Sequence, residues 1–105
     1  MTKYKAVKTT LDGITFDSKR EAARYAELKM MQHQGVIDRL ELQPVYQITI
    51  NGRKVCKYVA DFRYFCNERN RYVTEDVKGF ETPVFRLKKK LVEALYYPLK
   101  LEIIK

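Results

Sequence analysis

Several residue types that stabilise small extracellular or metal-containing domains are scarce in this sequence. Its 105 residues include one histidine, His33, and two cysteines, Cys56 and Cys66, and there is no tryptophan. This set lacks the grouped ligands of a zinc site and the cysteine density of a disulfide-stabilised domain. We therefore expect two free thiols in a cytoplasmic protein.

Long apolar runs are also missing. No stretch of about twenty apolar residues occurs, so we expect no transmembrane helix and no membrane partner. Lysines are present in the first ten residues, but no apolar segment follows them, which argues against a secretory signal. With only four glycines and three prolines, the chain shows no linker, repeat or low-complexity tract. The sequence predicts one domain over residues 1–105.

Charge is the most unusual bulk property of the chain. Lysine and arginine total 21 against 13 acidic residues, which gives a formal net charge of +8. So basic a balance on a small domain favours a polyanionic partner, and nucleic acid is the commonest one. DNA is therefore the expected partner, although positive charge also serves solubility.

Local signals divide the chain into short elements. Asp12-Gly13 marks a tight turn within residues 1–16, where we expect a basic arm or a small hairpin. Ser18 is a favoured N-cap and Gly35 a favoured helix stop, so they delimit a first helix. Thr82-Pro83 begins a second helix. Its expected buried face is Val84, Leu87, Leu91, Val92 and Leu95.

Strand signals occupy the regions between and after these helices. Asn51-Gly52 is the strongest hairpin signal. It joins predicted strands at Tyr46–Ile50 and Lys54–Phe65, and a third strand is predicted at Tyr72–Lys78. Alternating apolar residues from Leu99 to Ile103 predict a last strand. The fold class is therefore α+β, sandwich-like, in the order helix, three-strand meander, helix and strand, with a central mixed sheet.

The segment YVTEDVKGF, residues 72–80, places three charges in an apolar frame. Side chains alternate along a strand, so Asp76 and Lys78 share one face and Glu75 takes the other. Asp76 and Lys78 can then address one site together, or form an ordinary exposed salt bridge. For Glu75 we expect an ordinary role, as a surface or lysine-paired acid on the opposite side.

Asp61 strengthens the case for a site. Its neighbours in KYVADFRYF are mostly apolar or aromatic, and a lone buried acid is costly unless it is paired or binds a metal. Asp61 and Asp76 lie on consecutive strands of the predicted meander, which can bring both carboxylates to one end of the sheet. Two such oxygen donors beside a lysine suit Mg²⁺ or Mn²⁺. The alternative is a hydrogen-bonded structural aspartate.

Two further residues have two interpretations each. Glu21 completes the capping box Ser18-x-x-Glu21, which accounts for it without chemistry. At 100° per residue it also points toward the sheet between Tyr25 and Leu28, where it can complete a metal site. Gln43, before Pro44, either satisfies backbone groups at a strand start or lies near the site.

These motifs together resemble the PD-(D/E)XK nuclease core. The pattern is a helix with Glu21, then Ala60-Asp61, fourteen residues, and Asp76-Val77-Lys78. With DGITFDSKREAARYAEL, LELQPVYQI, YVADFRY and EDVKG, it resembles small phage-encoded proteins of that superfamily over most of residues 10–90. Junction-resolving and transposon-end-cutting endonucleases belong to the same superfamily. Ala60 replaces the proline of the superfamily name, a residue that shapes the strand without taking part in chemistry.

The resemblance implies a restriction-endonuclease-like core and a set of roles. Asp61, Asp76 and the Val77 carbonyl would hold Mg²⁺ or Mn²⁺. Glu21 would bind the metal directly or through water. Lys78 would orient or help to deprotonate the attacking water. Metal ions suit phosphodiester hydrolysis because they neutralise the phosphate and activate water.

The expected function is a metal-dependent phage or prophage DNA endonuclease acting in the host cytoplasm. We expect selectivity for branched DNA, because so small a fold has little room for a sequence-reading domain. A homodimer is expected if both strands are cut. The alternatives are a non-catalytic nucleic-acid-binding module and a phage accessory protein. The basic residues expected to contact DNA are Lys5, Lys8, Lys19, Arg20, Lys89 and Lys90.

Overall fold

A computed structural model describes residues 7–105, which form two helices and eight short strands. In chain order the elements are β1 (Thr9–Leu11), β2 (Ile14–Phe16), α1 (Lys19–His33), β3 (Ile37–Leu42), β4 (Val45–Ile50), β5 (Arg53–Val59), β6 (Phe62–Cys66), β7 (Arg71–Val77), α2 (Pro83–Leu95) and β8 (Leu101–Ile104). Neither helix has the length and apolar composition needed to span a membrane, among the residues described.

Two hairpins form where the sequence predicts tight turns. β1 pairs with β2 around Asp12-Gly13, and β4 pairs with β5 around Asn51-Gly52. All four turn residues have positive φ angles, between 52° and 77°. Such angles suit the primed turns that match the twist of antiparallel strands. Of the predicted basic arm, residues 1–6 lie outside the part of the chain that the structure describes.

The central sheet has four strands in the order β3-β6-β7-β8. β6 is antiparallel to both β3 and β7, whereas β8 runs parallel to β7. The predicted α+β class with a mixed sheet is therefore confirmed. The predicted three-strand meander is wrong in two respects: β3 was not anticipated, and β4 pairs only with β5.

The predicted strand Lys54–Phe65 is divided at Ala60-Asp61. β5 ends at Val59 within its hairpin, and β6 begins at Phe62 within the central sheet. The Asp61 N–H donates to the Glu75 carbonyl at 3.1 Å, and the Asp61 side chain accepts from the Val77 N–H at 2.7 Å. These bonds redirect the chain from one sheet to the other, which a uniformly strand-like composition does not reveal.

Helix α1 has the predicted ends and covers one face of the central sheet. The Ser18 hydroxyl caps it by accepting from the Glu21 N–H at 3.1 Å, and Gly35 follows its last turn with φ of 81°. Its buried side chains are Ala22, Tyr25 and Leu28. They pack on Ile37, Phe62, Tyr64, Cys66 and Val73 to form the first hydrophobic core.

Helix α2 packs on the opposite side, against the β4–β5 hairpin. Thr82 caps it, and Pro83 is its first residue, as predicted. Its buried face is only partly the predicted one: Val92 is buried and Leu91 is partly buried, as predicted. Phe85 is buried instead of Val84, Leu87 and Leu95, which are exposed. The reason is that the β4–β5 hairpin packs against the side of α2 that carries Phe85, whose ring centroid lies 6.1 Å from that of Tyr58.

Candidate active site

The site forms where the start of β6 adjoins the end of β7. These strands are antiparallel with Phe62 opposite Glu75, so the residue before β6 lies beside the last residues of β7. Asp61 and Asp76 therefore meet at one end of the sheet, as the sequence predicts. Lys78 follows directly, and its N–H donates to the Ile104 carbonyl of β8 at 2.9 Å.

Asp61 is held by its backbone and its side chain. Its N–H bonds to β7 at Glu75, and its carbonyl accepts from the Gln43 N–H at 2.9 Å. One carboxylate oxygen, Oδ2, accepts from the Val77 N–H at 2.7 Å. Asp61 thus has the hydrogen-bonded structural role, and its carboxylate also faces the other acids of the site.

Asp76 is buried, with 2% of its surface exposed. The Tyr58 hydroxyl donates to its Oδ2, and the Lys78 ammonium lies 3.9 Å from its Oδ1. Burial and proton sharing with Asp61 raise the pKa of Asp76 to about 7, against the lowering effects of Tyr58 and Lys78. At neutral pH this carboxyl therefore lies close to its own titration midpoint.

Tyr58 is a site residue that the sequence analysis missed. It lies on β5, in a hairpin that shares no ladder with the central sheet, and its side chain is buried. Burial, followed by its bond to Asp76, raises the pKa of the Tyr58 hydroxyl, which keeps it a donor at neutral pH. Strand alternation was the available signal, since Cys56 and Tyr58 point inward from a strand with exposed Val55 and Val59.

Glu21 takes part in the helix cap through its backbone N–H and lies near Asp61 through its side chain, while its role as a metal ligand stays a prediction. Burial first, and then the charges of Asp61 and Asp17, raise the pKa of Glu21 to about 7. Gln43 lines a cavity of about 150 Å³ together with Glu21 and Asp61, so it lies near the site as one interpretation predicted.

Asp61 is therefore the middle member of three interacting carboxyls. It raises the pKa of Glu21 on one side and that of Asp76 on the other. Within residues 7–105, no three or more His, Cys, Asp and Glu side chains form a group arranged to hold a metal ion. Two of the carboxylate oxygens already accept hydrogen bonds, from Val77 and Tyr58. The metal site stays a prediction.

Glu75 occupies the opposite face of β7, as strand alternation requires, but its environment was predicted wrongly. It is 1% exposed and forms a bidentate ion pair with Arg24 of α1. The Arg24 Nε lies 2.8 Å from Oε1 and its Nη2 lies 2.6 Å from Oε2, and the Tyr64 hydroxyl also donates to Glu75. Glu75 is a buried, arginine-paired acid rather than a surface acid.

An open cleft of about 740 Å³ lies beside the carboxyls. It separates the start of α1 from the segment after β7, and its lining includes Lys19, Arg20, Glu21, Lys78, Gly79 and Thr82. Lys8 lies outside the cleft lining and is 4.0 Å from Asp17.

Two other basic residues predicted to bind DNA, Lys89 and Lys90, are not part of this cleft. Lys89 pairs with Glu93 on α2 at 3.2 Å, and Lys90 is exposed on the same helix. Lys5 lies outside the described residues. The structure thus brings together two of the six predicted basic contacts, Lys19 and Arg20, and places them next to the carboxyls.

The fold and the site define a small α+β protein with a carboxyl cluster at one end of a mixed sheet, beside a basic cleft. Comparison with protein families gives a match over the whole chain. The model of DUF1064, described as a protein of unknown function, matches residues 1–105, and the chain belongs to that family. Searches of curated proteins and of solved structures gave no match.

Proposed function

We propose that this protein is a metal-dependent DNA endonuclease of the PD-(D/E)XK type, acting in the cytoplasm of a host cell. The observation that carries the proposal is the convergence of Asp61, Asp76 and Lys78 at one end of the sheet, beside a basic cleft. A mixed sheet with α1 on one face and α2 on the other supports a restriction-endonuclease-like core.

The donors present fit Mg²⁺ or Mn²⁺. Glu21, Asp61, Asp76 and the Val77 carbonyl would supply oxygen ligands, which these hard ions prefer. The raised pKa values of Glu21 and Asp76 show that their ionised forms lack compensation in the described protein, which a bound cation would provide. Such an ion neutralises charge on the phosphate and lowers the pKa of bound water.

The chain's own residues then have separate tasks. Lys78 is partly exposed, with its ammonium 3.9 Å from Asp76 Oδ1 and 4.8 Å from the Phe85 ring centroid. It can donate a hydrogen bond that orients a water molecule at the mouth of the cleft, and its positive charge favours the loss of a proton from that water. Tyr58 and the Val77 N–H hold the two aspartates in place, because each donates to one carboxylate oxygen.

The test is a cleavage panel on defined DNA. Four-way junction, flap, single-stranded and linear duplex substrates are incubated with Mg²⁺, Mn²⁺ or chelator. Wild type is expected to cut branched DNA in either metal, and Asp76→Asn and Lys78→Ala are expected not to. Glu68→Gln is the matched control, since Glu68 is an exposed acid in the β6–β7 turn. Binding without cleavage in both metals would overturn the nuclease and leave a nucleic-acid-binding module.

An exposed apolar stripe on α2 supports a protein-binding role as well. Val84, Leu87 and Leu95 lie on one side of the helix and are 63%, 58% and 46% exposed. We propose that a second copy of the chain covers this stripe, which would provide two active sites for cutting two strands. Light scattering should show a dimer in wild type and a monomer in Leu87→Glu. A monomeric wild type would exclude the dimer and favour an accessory-protein partner.

A further inference from the structure

Arg20 differs from the arginines that stabilise the rest of the fold. It is the second residue of α1 and lines the 740 Å³ cleft. Its side chain forms no ion pair or hydrogen bond with any residue in the range 7–105. Other arginines are engaged by carboxylates: Arg24, Arg39, Arg63, Arg69 and Arg71. Arg20 is therefore a cation with an unused set of donors, facing an open cleft.

Gly79 leaves the space that the Arg20 guanidinium occupies, and a Cβ there would require this flexible side-chain end to move. A Cβ atom at position 79 would stand 2.7 Å from Arg20 Nη1, closer than non-bonded atoms tolerate. The φ angle of Gly79 is not in the positive range that favours glycine. The missing side chain, rather than an unusual backbone, is thus what Gly79 contributes. It leaves space for the Arg20 guanidinium in the cleft that Lys78 also lines.

Each of the two cations lies close in sequence to a carboxyl of the site, one on each wall of the cleft. Arg20 precedes Glu21 on α1, and Lys78 follows Asp76 and Val77 on the other wall of the cleft. A guanidinium presents two parallel N–H groups that match two oxygens of a phosphate. The cleft volume is within the range of sites that take small ligands or parts of larger ones.

We propose that the Arg20 guanidinium, seated over Gly79, binds a backbone phosphate of the DNA strand that enters this cleft. This inference rests on the proposed function for the identity of the ligand as DNA. It assigns to Arg20 a fixed contact, distinct from the diffuse attraction of the exposed lysines. It assigns to Gly79 the role of positioning Arg20.

The experiment measures DNA binding separately from cleavage, as a double-mutant cycle. Fluorescence anisotropy follows a labelled four-way junction and a labelled duplex in chelator, where a metal-dependent enzyme does not turn over. The variants are Arg20→Ala, Arg20→Lys, Gly79→Ala and the Arg20→Ala/Gly79→Ala double. Lys100→Ala is the control for loss of one positive charge. Lys100 is exposed and directly precedes β8, at the end of that strand that lies away from Val77 and the site.

We expect Arg20→Ala to weaken binding about tenfold, as for loss of a charged hydrogen-bonded contact, and to lower the salt slope by about one. Gly79→Ala should weaken binding in wild type but not in the Arg20→Ala background. Arg20→Lys should recover only part of the loss, and Lys100→Ala should change affinity less than twofold. Melting temperatures should be unchanged, because both residues are exposed.

Two results would overturn the inference. One is an Arg20→Ala variant that binds like Lys100→Ala. The other is a Gly79→Ala loss of equal size in both backgrounds, which would mean that Gly79 acts without Arg20. Failure of the nuclease proposal gives a different pattern, in which wild type cuts nothing while the binding cycle still shows coupling.

Discussion

Glu75 and Asp76 are adjacent acids on the same strand, both almost fully buried, yet their surroundings are opposite in kind. Glu75 faces α1 and receives two N–H groups from Arg24 and the Tyr64 hydroxyl. Asp76 faces the β4–β5 hairpin, with the Tyr58 hydroxyl, a second carboxyl at Asp61, and an ammonium 3.9 Å away. The charge of Glu75 is compensated by a bidentate ion pair, whereas the charge of Asp76 is only partly compensated.

This difference separates a structural acid, Glu75, from the proposed catalytic one, Asp76. A buried ion pair with full hydrogen bonding holds α1 against β7, and hence holds Glu21 near Asp61. An under-compensated acid is destabilising by itself, and such sites cluster where a ligand or a reaction uses the stored electrostatic energy. Burial alone therefore does not distinguish the two acids, whereas the partners of each carboxylate do.

The largest expected effect is loss of cleavage in Asp76→Asn. A metal ligand and its charge would be removed, so activity on branched DNA should fall by about 10³-fold or more. The melting temperature should stay the same or rise, because the amide removes repulsion with Asp61 and keeps the oxygen that accepts from Tyr58. Gel assays in Mg²⁺ and Mn²⁺, with thermal melts of the same samples, measure both quantities.

Wild-type activity in Asp76→Asn would place the chemistry elsewhere in the molecule. Glu68→Gln serves as the control, since it removes one exposed acid from the neighbouring turn. It should cut like wild type and melt like wild type.

The next largest effect is loss of stability in Glu75→Gln. Arg24 would lose its buried carboxylate partner and keep only the exposed Glu27, so the free energy of unfolding should fall by about 3 kcal/mol. For a domain of this size that corresponds to a drop of about 15 °C in melting temperature. Differential scanning calorimetry at pH 7 measures it.

The replacement of both partners tests the cause. Arg24→Met/Glu75→Leu removes the charges together and should be more stable than Glu75→Gln, because no buried ion is left unpaired. A double variant as unstable as Glu75→Gln would show that the stability loss comes from packing rather than from the loss of the buried partner of Arg24.

Local chemistry explains which parts of this fold the sequence predicts. Capping residues and tight-turn glycines act within a few residues, so Ser18, Gly35, Asn51-Gly52 and Thr82-Pro83 gave correct boundaries. β3 was missed because its burial pattern has one buried position, Ile37, followed by mostly exposed charged residues. A bulge between Asp38 and Glu41, where Arg39 has a positive φ, removes the alternation that identifies a strand.

Long-range packing explains the errors at the site. The Asp61 and Asp76 placement follows from strand order and was predicted. By contrast, Arg24 lies 51 residues from its partner Glu75, and Tyr58 lies 18 residues from its partner Asp76. Strand alternation marks Tyr58 as inward-facing but does not identify its partner, and Arg24 carries no local sign of its role. The same reason accounts for α2, since only the hairpin packed on it selects Phe85 over Leu87 as a core residue.

A smaller effect concerns the pH dependence of stability in chelator. The raised pKa values of Glu21 and Asp76 mean that the folded protein holds more protons than the unfolded chain between about pH 4.5 and 7. The free energy of unfolding contributed by these groups therefore decreases as pH rises through that window. Asp61→Asn removes the charge next to both groups, so the decrease should become smaller.

Melting temperatures from pH 5 to pH 8 test this prediction. Wild type should lose about 5 °C more than Asp61→Asn, equivalent to about 1 kcal/mol. Asp38→Asn, an exposed acid beside Arg39, should keep the wild-type slope. Equal slopes in wild type and Asp61→Asn would show that the three carboxyls do not interact.

The smallest expected effect separates the two tyrosines that contact these acids. Tyr58→Phe keeps the ring that packs near Phe85 but removes the hydroxyl bond to Asp76, at a stability loss of about 1 kcal/mol. Because that bond lowers the pKa of Asp76, the pKa rises without it, and the acid limb of the cleavage profile should move to higher pH. Cleavage rates in Mg²⁺ from pH 6 to pH 9 measure the shift.

Tyr64→Phe is the matched change on the other face of β7. It removes a hydroxyl bond to Glu75, so it should reduce stability by a similar amount while leaving the pH profile in place. The contrast depends on ionised Asp76, and not Glu75, being required for activity. Identical profiles for Tyr58→Phe and Tyr64→Phe would contradict that assignment, whereas a shift confined to Tyr58→Phe would tie the β4–β5 hairpin to the active carboxylate.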